Sequence, residues 1–226
     1  MKREVAASIL TANFLELKKD LNKLLESNVK WIHYDVMDYN FVPNLSFGTK
    51  LLKDITDNYD FNIDIHFMVR LDDKWSVESY LNSFYSDKLK QITFHIESLT
   101  QKNINDIRNY CKDHSIEFSL AINPNTEVDI LCEYLPQLDN VLIMSVQPGF
   151  GGQTFIENTL EKVKKLVNIR NKNNYKFRLQ IDGGINELTC IKAKNAGVDF
   201  FVAGSFLVND KLSILELKER VELIEN

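Results

Sequence analysis

Short apolar runs alternate with amphipathic segments along the whole sequence, and this alternation limits the folds open to the chain. Eight runs have the length and the β-branched or aromatic character of strands. They are residues 5–10, 31–37, 63–68, 92–96, 118–122, 140–146, 177–181 and 200–203. Between them, apolar residues recur at steps of three and four, as in Phe14, Leu17, Leu21 and Leu24. Strands that alternate with helices indicate a parallel sheet covered by helices.

Eight such units in 226 residues favour a single α/β domain over residues 1–226, folded as a (β/α)8 barrel. A doubly wound open sheet is the competing α/β architecture, but it does not usually need eight strands in a chain of this length. In the barrel, we expect a helix after every strand. The last helix would bury Ile214, Leu217, Val221 and Ile224.

The composition is ordinary for a globular protein and excludes several classes. Apolar residues make up 44% and charged residues 26% of the chain. A net charge of −5 gives no electrostatic footprint for nucleic acid, and no run approaches the roughly 18 apolar residues of a membrane span. Cys111, Cys132 and Cys190 form neither a disulfide framework nor a metal quartet. Together with the lack of an apolar leader, they indicate a cytoplasmic protein.

The second and third strands carry unusual side chains on one face. Alternation along the second strand places His33, Asp35 and Met37 on the same side, and the third strand does the same with Asp64 and His66. A buried strand normally has Val, Ile or Leu at such positions. Functional groups of (β/α)8 barrels lie at the carboxyl ends of the strands, where these residues fall.

Two imidazoles and two carboxylates thus fall at matching strand ends: His33, Asp35, His66 and, at the end of the seventh strand, Asp182. This set suits a divalent first-row ion such as zinc, iron or manganese. The alternative is that His33 and His66 are hydrogen-bonded core histidines with Asp35 as their partner. For one His-x-Asp strand that alternative is the better one, whereas four groups at matching strand ends favour a metal site.

Glycine is concentrated after the last three strands. Six of the eight glycines lie there: Gly149, Gly151, Gly152, Gly183, Gly184 and Gly204. Successive backbone amides in such loops form an anion-binding concavity, and barrels of this type build phosphate sites from their last loops. One glycine pair alone would indicate a tight turn, but three clusters favour phosphate binding. No Lys or Arg lies in these clusters, so we expect the amides to carry the phosphate charge.

The paired carboxylates of Asp35 and Asp182 suggest proton transfer at carbon. The second and seventh strands lie nearly opposite in a barrel, so a proton could leave one face of a carbon and be delivered to the other. A neighbouring metal would stabilise the resulting enediolate. We expect Met37, Met68 and Met144 to line this pocket with polarisable sulfur, with gap-filling in the core as the alternative for each.

These motifs together resemble the ribulose-phosphate 3-epimerase family. The longest matches are the second strand with its following loop, residues 32–38 and 41–44, and the sixth strand with its loop, residues 144–153. Shorter matches occur at residues 7–10, 64–69, 94–97, 123–124, 182–184 and 203–205. Tyr39 and Asn40 depart from the family pattern, which usually has Gly-His there, so loop shape or substrate fit could differ at that point.

The resemblance implies a barrel of the ribulose-phosphate-binding type that interconverts D-ribulose 5-phosphate and D-xylulose 5-phosphate in the pentose phosphate pathway, with inversion at C3. It implies one divalent ion (zinc, iron, manganese or cobalt) on His33, Asp35, His66 and Asp182. Asp35 would be the proton acceptor and Asp182 the donor. The implied substrate contacts are Ser8, His66, Gly149, Phe150, Gly151, Gly152, Asp182, Gly183, Gly184, Gly204 and Ser205. The family forms dimers and larger assemblies, so we expect a homo-oligomer.

Three alternatives are weighed against this interpretation. An epimerase of a ketohexose 6-phosphate, such as D-allulose 6-phosphate, needs only room for one more hydroxymethylene. Phosphate-binding barrels that are decarboxylases place Asp-x-Lys at the third strand, where this chain reads Asp64-Ile65-His66. A non-catalytic phosphate-binding barrel would be expected to lose one proton-carrying aspartate, and both are present here.

Overall fold

Eight parallel strands close into a barrel in the computed structural model, which describes residues 3–71 and 74–226. Each strand pairs with its successor, and the eighth pairs with the first. The strands are β1 (Glu4–Ser8), β2 (Trp31–Met37), β3 (Asn62–Met68), β4 (Leu89–His95), β5 (Glu117–Ile122), β6 (Asn140–Met144), β7 (Arg178–Asp182) and β8 (Phe200–Ala203). The predicted (β/α)8 barrel is confirmed.

Seven α-helices surround the barrel in the ranges described. They are α1 (Leu17–Glu26), α2 (Thr49–Asn58), α3 (Val77–Asn82), α4 (Gln101–Asp113), α5 (Thr159–Asn173), α6 (Glu187–Ala196) and α7 (Ile214–Glu225). The prediction of a helix after every strand is wrong for β5, which is followed by 3₁₀ helices at Val128–Leu131 and Leu135–Gln137. Pro136 is the second residue of the latter and has no N–H, so an α-helix running on from the first segment would lose a hydrogen bond there.

The helices bury the faces that their apolar periodicity indicates. Leu21 and Leu24 of α1 are buried, as are Val221 and Ile224 of α7. Phe14, the first residue of the predicted stripe in this region, precedes α1 and is 56% exposed. Among the helices of the described ranges, none has the length and apolar character needed to cross a membrane.

A polar column occupies the amino-terminal half of the barrel interior. Arg178, at the start of β7, donates from Nη1 to Oε2 of Glu4 at 2.7 Å and from Nη2 to Oε1 of Gln91 at 2.9 Å. It also donates to Glu117, and its guanidinium lies 4.9 Å from the centre of the Phe200 ring. Such planar donors suit several simultaneous partners, so Arg178 closes the barrel floor and fixes Gln91 above it.

The loop after β2 has a left-handed residue at Tyr39, where the sequence departs from the pattern of the family it resembles. Tyr39 has φ +59° and donates its N–H to the Asn44 carbonyl at 2.9 Å. The carboxylate of Asp38 accepts from the backbone N–H groups of Asn40 and Phe41 at 2.8 and 2.9 Å. The loop therefore has a backbone conformation that favours glycine, although a tyrosine occupies it.

Replacing Tyr39 by glycine is expected to raise the free energy of unfolding by about 0.5–1 kcal/mol, because it removes a Cβ from a left-handed backbone. Urea denaturation of the two proteins measures the difference. Asn40→Gly is the matched control, since φ of Asn40 is not positive, and it should destabilise the protein. A loss of stability in the Tyr39→Gly protein would contradict this account of the loop.

Candidate active site

Four polar side chains converge at the carboxyl ends of β2, β3 and β7. One ligand atom from each of His33, Asp35, His66 and Asp182 lies within 4.8 Å of all the others. Nε2 of His33 is 3.3 Å from Oδ1 of Asp35 and 3.7 Å from Oδ2 of Asp182. Nδ1 of His66 is 3.2 Å and 3.7 Å from the same two oxygens. The structure thus brings together all four residues predicted as metal ligands.

Strand pairing explains this convergence. In the parallel register of β2 and β3, His33 lies beside Asp64 and Asp35 lies beside His66. Because alternate residues of a strand share a face, both pairs point into the barrel. Asp182 reaches the same space from the end of β7, on the far side of β1 and β8.

A hydrogen bond at Nδ1 orients the other ring nitrogen of His33, Nε2, toward the cluster. Nδ1 lies 2.7 Å from Oδ2 of Asp64, so Nδ1–H donates there and Nε2 faces the other three ligands. Burial opposes protonation, but Asp35 and Asp64 raise the pKa of His33, so Nε2 carries a proton in the metal-free protein and would release it to bind an ion. Asp64 itself accepts from the side-chain amides of Gln91 at 2.8 Å and Gln180 at 2.6 Å. A carboxylate behind a ligating histidine is the usual outer support of metal sites.

This donor set fits a divalent first-row cation. Two imidazole nitrogens and two carboxylate oxygens face one small space. The hydrogen bond of His33 to Asp64 uses Nδ1 and leaves Nε2 facing this space, and Nδ1 of His66 faces it beside Asp35. Sequence reasoning placed Asp64 on the correct face but gave it no role. Asp64 supports His33 because the two residues lie side by side in the pairing of β2 with β3. This pairing cannot be read from the sequence of β3 alone.

The pKa values of the two aspartates move in opposite directions. Burial raises the pKa of Asp182 to about 7, and the carboxylates of Asp35 and Asp64 add to this, while His33 opposes it. Burial acts on Asp35 too, but His33 and His66 outweigh it and lower the pKa of Asp35. At neutral pH the site thus pairs an ionised carboxylate with one that can hold a proton, an arrangement suited to acid–base chemistry.

In metal-free protein, Asp182→Asn is expected to stabilise the fold more at pH 8 than at pH 5. Folding raises the pKa of Asp182 from 3.8 to about 7. The contribution of this carboxyl group to the free energy of unfolding is therefore largest below pH 4 and is lost as the pH rises through 7. Asparagine does not ionise, so the variant should gain about 5–10 °C in Tm relative to wild type between pH 5 and 8. Thermal melts in chelator test this, with Asp210→Asn as an exposed control; an equal difference at both pH values would contradict it.

Asp35 and Asp182 open into a cavity of about 520 Å³ at the mouth of the barrel. Its wall includes the predicted pocket methionines Met37, Met68 and Met144. Of the predicted substrate contacts, it includes Ser8, Gly149, Phe150, Gly151, Gly152, Asp182, Gly183, Gly184, Gly204 and Ser205. His66 is fully buried behind this wall, so the structure does not bring it to the cavity surface.

The loops after β7 and β6 hold each other closely beside this cavity. The hydroxyl of Ser145 donates to the carbonyls of Asp182 and Gly183 at 2.8 and 2.6 Å. Gly184 has φ +64°, and a Cβ added to it would lie 2.6 Å from the backbone nitrogen of Phe155. A side chain has no space there, so glycine allows the two backbones to meet at the cavity wall.

Arg220 is the one basic residue on the cavity wall within the part of the chain described, and sequence reasoning missed it. It lies on α7, outside the glycine clusters, which contain no Lys or Arg. Its Nη1 donates to the carbonyl of Phe206 at 2.7 Å, and its guanidinium lies 4.6 Å from the centre of the Phe206 ring. A cation therefore accompanies the backbone amides near the loop after β8.

Comparison with known proteins decides the family. The ribulose-phosphate 3 epimerase family model matches residues 4–208. The chain belongs to the ribulose-phosphate 3-epimerase family. The prediction of this family, and of an isomerase that acts on carbohydrates, is therefore confirmed.

Relatives in this epimerase family match over most of their length. The ribulose-phosphate 3-epimerase of Treponema pallidum is 34% identical over 215 residues, or 95% of each protein. That of Escherichia coli K12 is 36% identical over 203 residues, 89% of this chain and 87% of that protein. Among solved structures, 3-hexulose-6-phosphate synthase superposes with a TM-score of 0.64 over 100% of this chain and 98% of that chain, at 13% identity. That likeness shows a shared fold.

Proposed function

We propose that this chain interconverts D-ribulose 5-phosphate and D-xylulose 5-phosphate in the pentose phosphate pathway by two-base proton transfer at C3. The observation that carries the proposal is the pair Asp35 and Asp182. They face one cavity from β2 and β7, and their pKa values are displaced in opposite directions. The names of the curated relatives support the choice of substrate.

The two carboxylates divide the reaction between them. Asp35, held ionised, accepts the C3 proton from one face of the ketose, and the electron pair of the broken C–H bond passes into an enediolate. Asp182, protonated, then donates its proton to the opposite face of C3 and becomes the carboxylate, so the configuration is inverted. In the reverse direction the roles exchange. Ser8 supports this assignment, because its hydroxyl donates to Oδ2 of Asp35 at 2.9 Å and fixes the base.

His33, Asp35, His66 and Asp182 would hold one divalent ion, with zinc, iron, manganese or cobalt as candidates. When bound, such an ion supplies a Lewis acid for the negative charge that develops on the substrate oxygens. The methionines lining the cavity contribute an apolar wall that neither donates nor accepts protons.

The phosphate would bind against the backbone amides of the loops after β6, β7 and β8, with Arg220 as the nearby cation. Helix N-termini and successive amides bind phosphate by directing N–H groups at it. The proposed substrate contacts remain the ten residues on the cavity wall given above. His66 would act from behind Asp35 rather than by touching the substrate.

Turnover of two substrates by the purified, metal-loaded protein tests the proposal. We expect kcat/KM for D-ribulose 5-phosphate to exceed that for D-allulose 6-phosphate by at least about tenfold, because one additional group in a fitted pocket costs that much. The opposite ratio would assign the enzyme to the hexose phosphate. Turnover of neither substrate would reject the proposed function.

We also propose that residues 1–226 form one catalytic domain, which works in the cytoplasm as a homo-oligomer. The closed pairing of all eight strands supports the single domain. Cys111, Cys132 and Cys190 are free thiols, as in reducing compartments. The homo-oligomer rests on the family alone, and light scattering of the purified protein tests it.

A further inference from the structure

A second histidine lies directly behind the proposed ligand His66. Nε2 of His66, the nitrogen facing away from the cluster, is 2.9 Å from Nε2 of His95 at the end of β4. Nδ1 of His95 is in turn 3.3 Å from Oε2 of Glu97. Both imidazoles are fully buried, their rings stack at a centroid distance of 5.0 Å, and the ring of Phe41 covers His95 at 4.7 Å.

The other oxygen of Glu97 is fixed by the loop after β5. Oε1 accepts from the backbone N–H of Asn123 at 2.7 Å and from the hydroxyl of Thr126. The ammonium group of Lys162 on α5 donates to the carbonyls of Asn123 and Pro124 at 3.1 and 2.7 Å, which holds this loop in place. Glu97 therefore accepts hydrogen bonds on both oxygens, as a carboxylate does.

Two neutral imidazoles have two N–H groups for three contacts, and Glu97 determines which two contacts they serve. A carboxylate accepts and does not donate, so Nδ1–H of His95 donates to Glu97. A neutral imidazole carries one N–H, so Nε2 of His95 is left to accept and Nε2–H of His66 is the donor. Nδ1 of His66 then has a free lone pair, 3.2 Å from Oδ1 of Asp35. Asp35 does not need the proton of His66, because Nε2 of His33 lies 3.3 Å from the same oxygen and 3.4 Å from Nδ1 of His66.

We propose that Glu97 and His95 form a positioning relay that sets the tautomer and ring orientation of His66 and so presents its Nδ1 to a metal ion. The relay rests on the metal site of the proposed function. Neither residue is part of the cavity wall, so they act through His66 rather than on the substrate. His33 has a different support, because Asp64 contacts it directly.

The relay also links metal affinity to the loop between β5 and β6. That loop contains Asn123 and Thr126 and lacks the α-helix expected after β5. One oxygen of Glu97 accepts from the loop, and its other oxygen accepts from His95. A change in the loop therefore reaches His66 through three hydrogen bonds, from the loop to Glu97, from Glu97 to His95 and from His95 to His66. Outer hydrogen-bond partners of metal ligands typically change metal affinity by about 10–100-fold.

The first test needs no substitution. Long-range ¹H–¹⁵N NMR of the metal-free, full-length protein reports which nitrogen of each imidazole carries the proton. We expect His66 to be protonated at Nε2 and His95 at Nδ1. Protonation of either ring on the other nitrogen would overturn the relay, whether or not the protein binds a metal.

The second test measures Zn²⁺ affinity by competition with a chromophoric chelator. Glu97→Gln is expected to weaken Zn²⁺ binding by about 10–100-fold and to shift part of His66 to the Nδ1–H tautomer. Glu127→Gln is the matched control, since it removes an exposed carboxylate of the same loop that makes no contact with Glu97 or His95, and its Zn²⁺ affinity should stay within about twofold of wild type. Unchanged affinity and tautomer in Glu97→Gln would overturn the proposal.

Thr126→Val provides a milder variant if Glu97→Gln does not fold. It removes one hydrogen bond from Glu97 without removing its charge, so it should weaken Zn²⁺ binding less than Glu97→Gln does while moving the His66 tautomer in the same direction. Wild-type protein that binds no Zn²⁺ would count against the proposed metal site, whereas the tautomers of His66 and His95 would still decide the relay.

Discussion

Asp182→Asn is expected to abolish epimerisation of D-ribulose 5-phosphate while leaving exchange of its C3 hydrogen with solvent. Asp35 still removes the C3 proton and returns a solvent-derived one to the same face, but no acid remains on the opposite face. Asp35→Asn should lose both exchange and epimerisation. The expected fall in kcat for epimerisation is about 10²–10⁴-fold in each variant.

Saturating metal is needed in these assays, since both aspartates also belong to the proposed ligand set. Asp210→Asn is the control, because that carboxylate is exposed and lies away from the cavity wall. NMR in deuterated water separates exchange from inversion. Equal loss of exchange in both variants would contradict the assignment of Asp35 as the base for ribulose 5-phosphate.

Gly184→Ala is expected to destabilise the protein by about 2–5 kcal/mol and to raise KM for the phosphorylated substrate. The added Cβ would lie 2.6 Å from the backbone nitrogen of Phe155, and φ of +64° is unfavourable for any residue with a Cβ. Overpacking contributes about 1–3 kcal/mol and left-handed strain about 1–2 kcal/mol. Urea denaturation gives the stability, and steady-state kinetics give KM.

Two other glycines separate these contributions. At Gly152, φ is +74° but a Cβ would meet nothing within 4 Å, so alanine should cost only the strain, about 1–2 kcal/mol. At Gly48, φ is not positive and the space is also open, so alanine should leave the stability nearly unchanged. If Gly184→Ala were no more destabilising than Gly152→Ala, the close approach of the two loops would not be a packing constraint.

The sequence was sufficient to predict the barrel and the convergence of the four proposed ligands. Strand periodicity gave β2 and β8 their bounds, and the place of His33, Asp35 and His66 follows from alternation together with the rule that strand ends share one face of a barrel. Asp182 followed in the same way from the end of β7. These inferences need only local pattern and topology.

Contacts between side chains on different strands could not be predicted in the same way. The hydrogen bonds that Asp64 accepts from Gln91 and Gln180 depend on the register of β3 with β4, which shifts at Ile63/Asp64, and on the distance that Gln180 spans across the barrel. His95 lies near the end of the predicted strand 92–96, but its partners come from β3 and from the residues after β4. Such contacts need three-dimensional positions, because no fixed spacing in the sequence encodes them.

Residues far along the chain from the motifs were missed for a related reason. Arg220 reaches the cavity from α7, although nothing in its local sequence distinguishes it from a solvated helix residue. The absence of a helix after β5 was missed because apolar residues there, such as Val128 and Leu131, fit a short helical period. Both errors concern how the loops and helices pack on a barrel that was itself predicted correctly.

Deuterium at C3 is the most direct test of two-base proton transfer. Metal-loaded protein is incubated with D-ribulose 5-phosphate in deuterated water, and C3 is followed by NMR with and without a chelator. We predict that D-xylulose 5-phosphate forms with deuterium at C3, and that the chelator stops the reaction until metal is restored. Product that retains its original C3 hydrogen, or turnover that persists in Asp182→Asn, would contradict the mechanism.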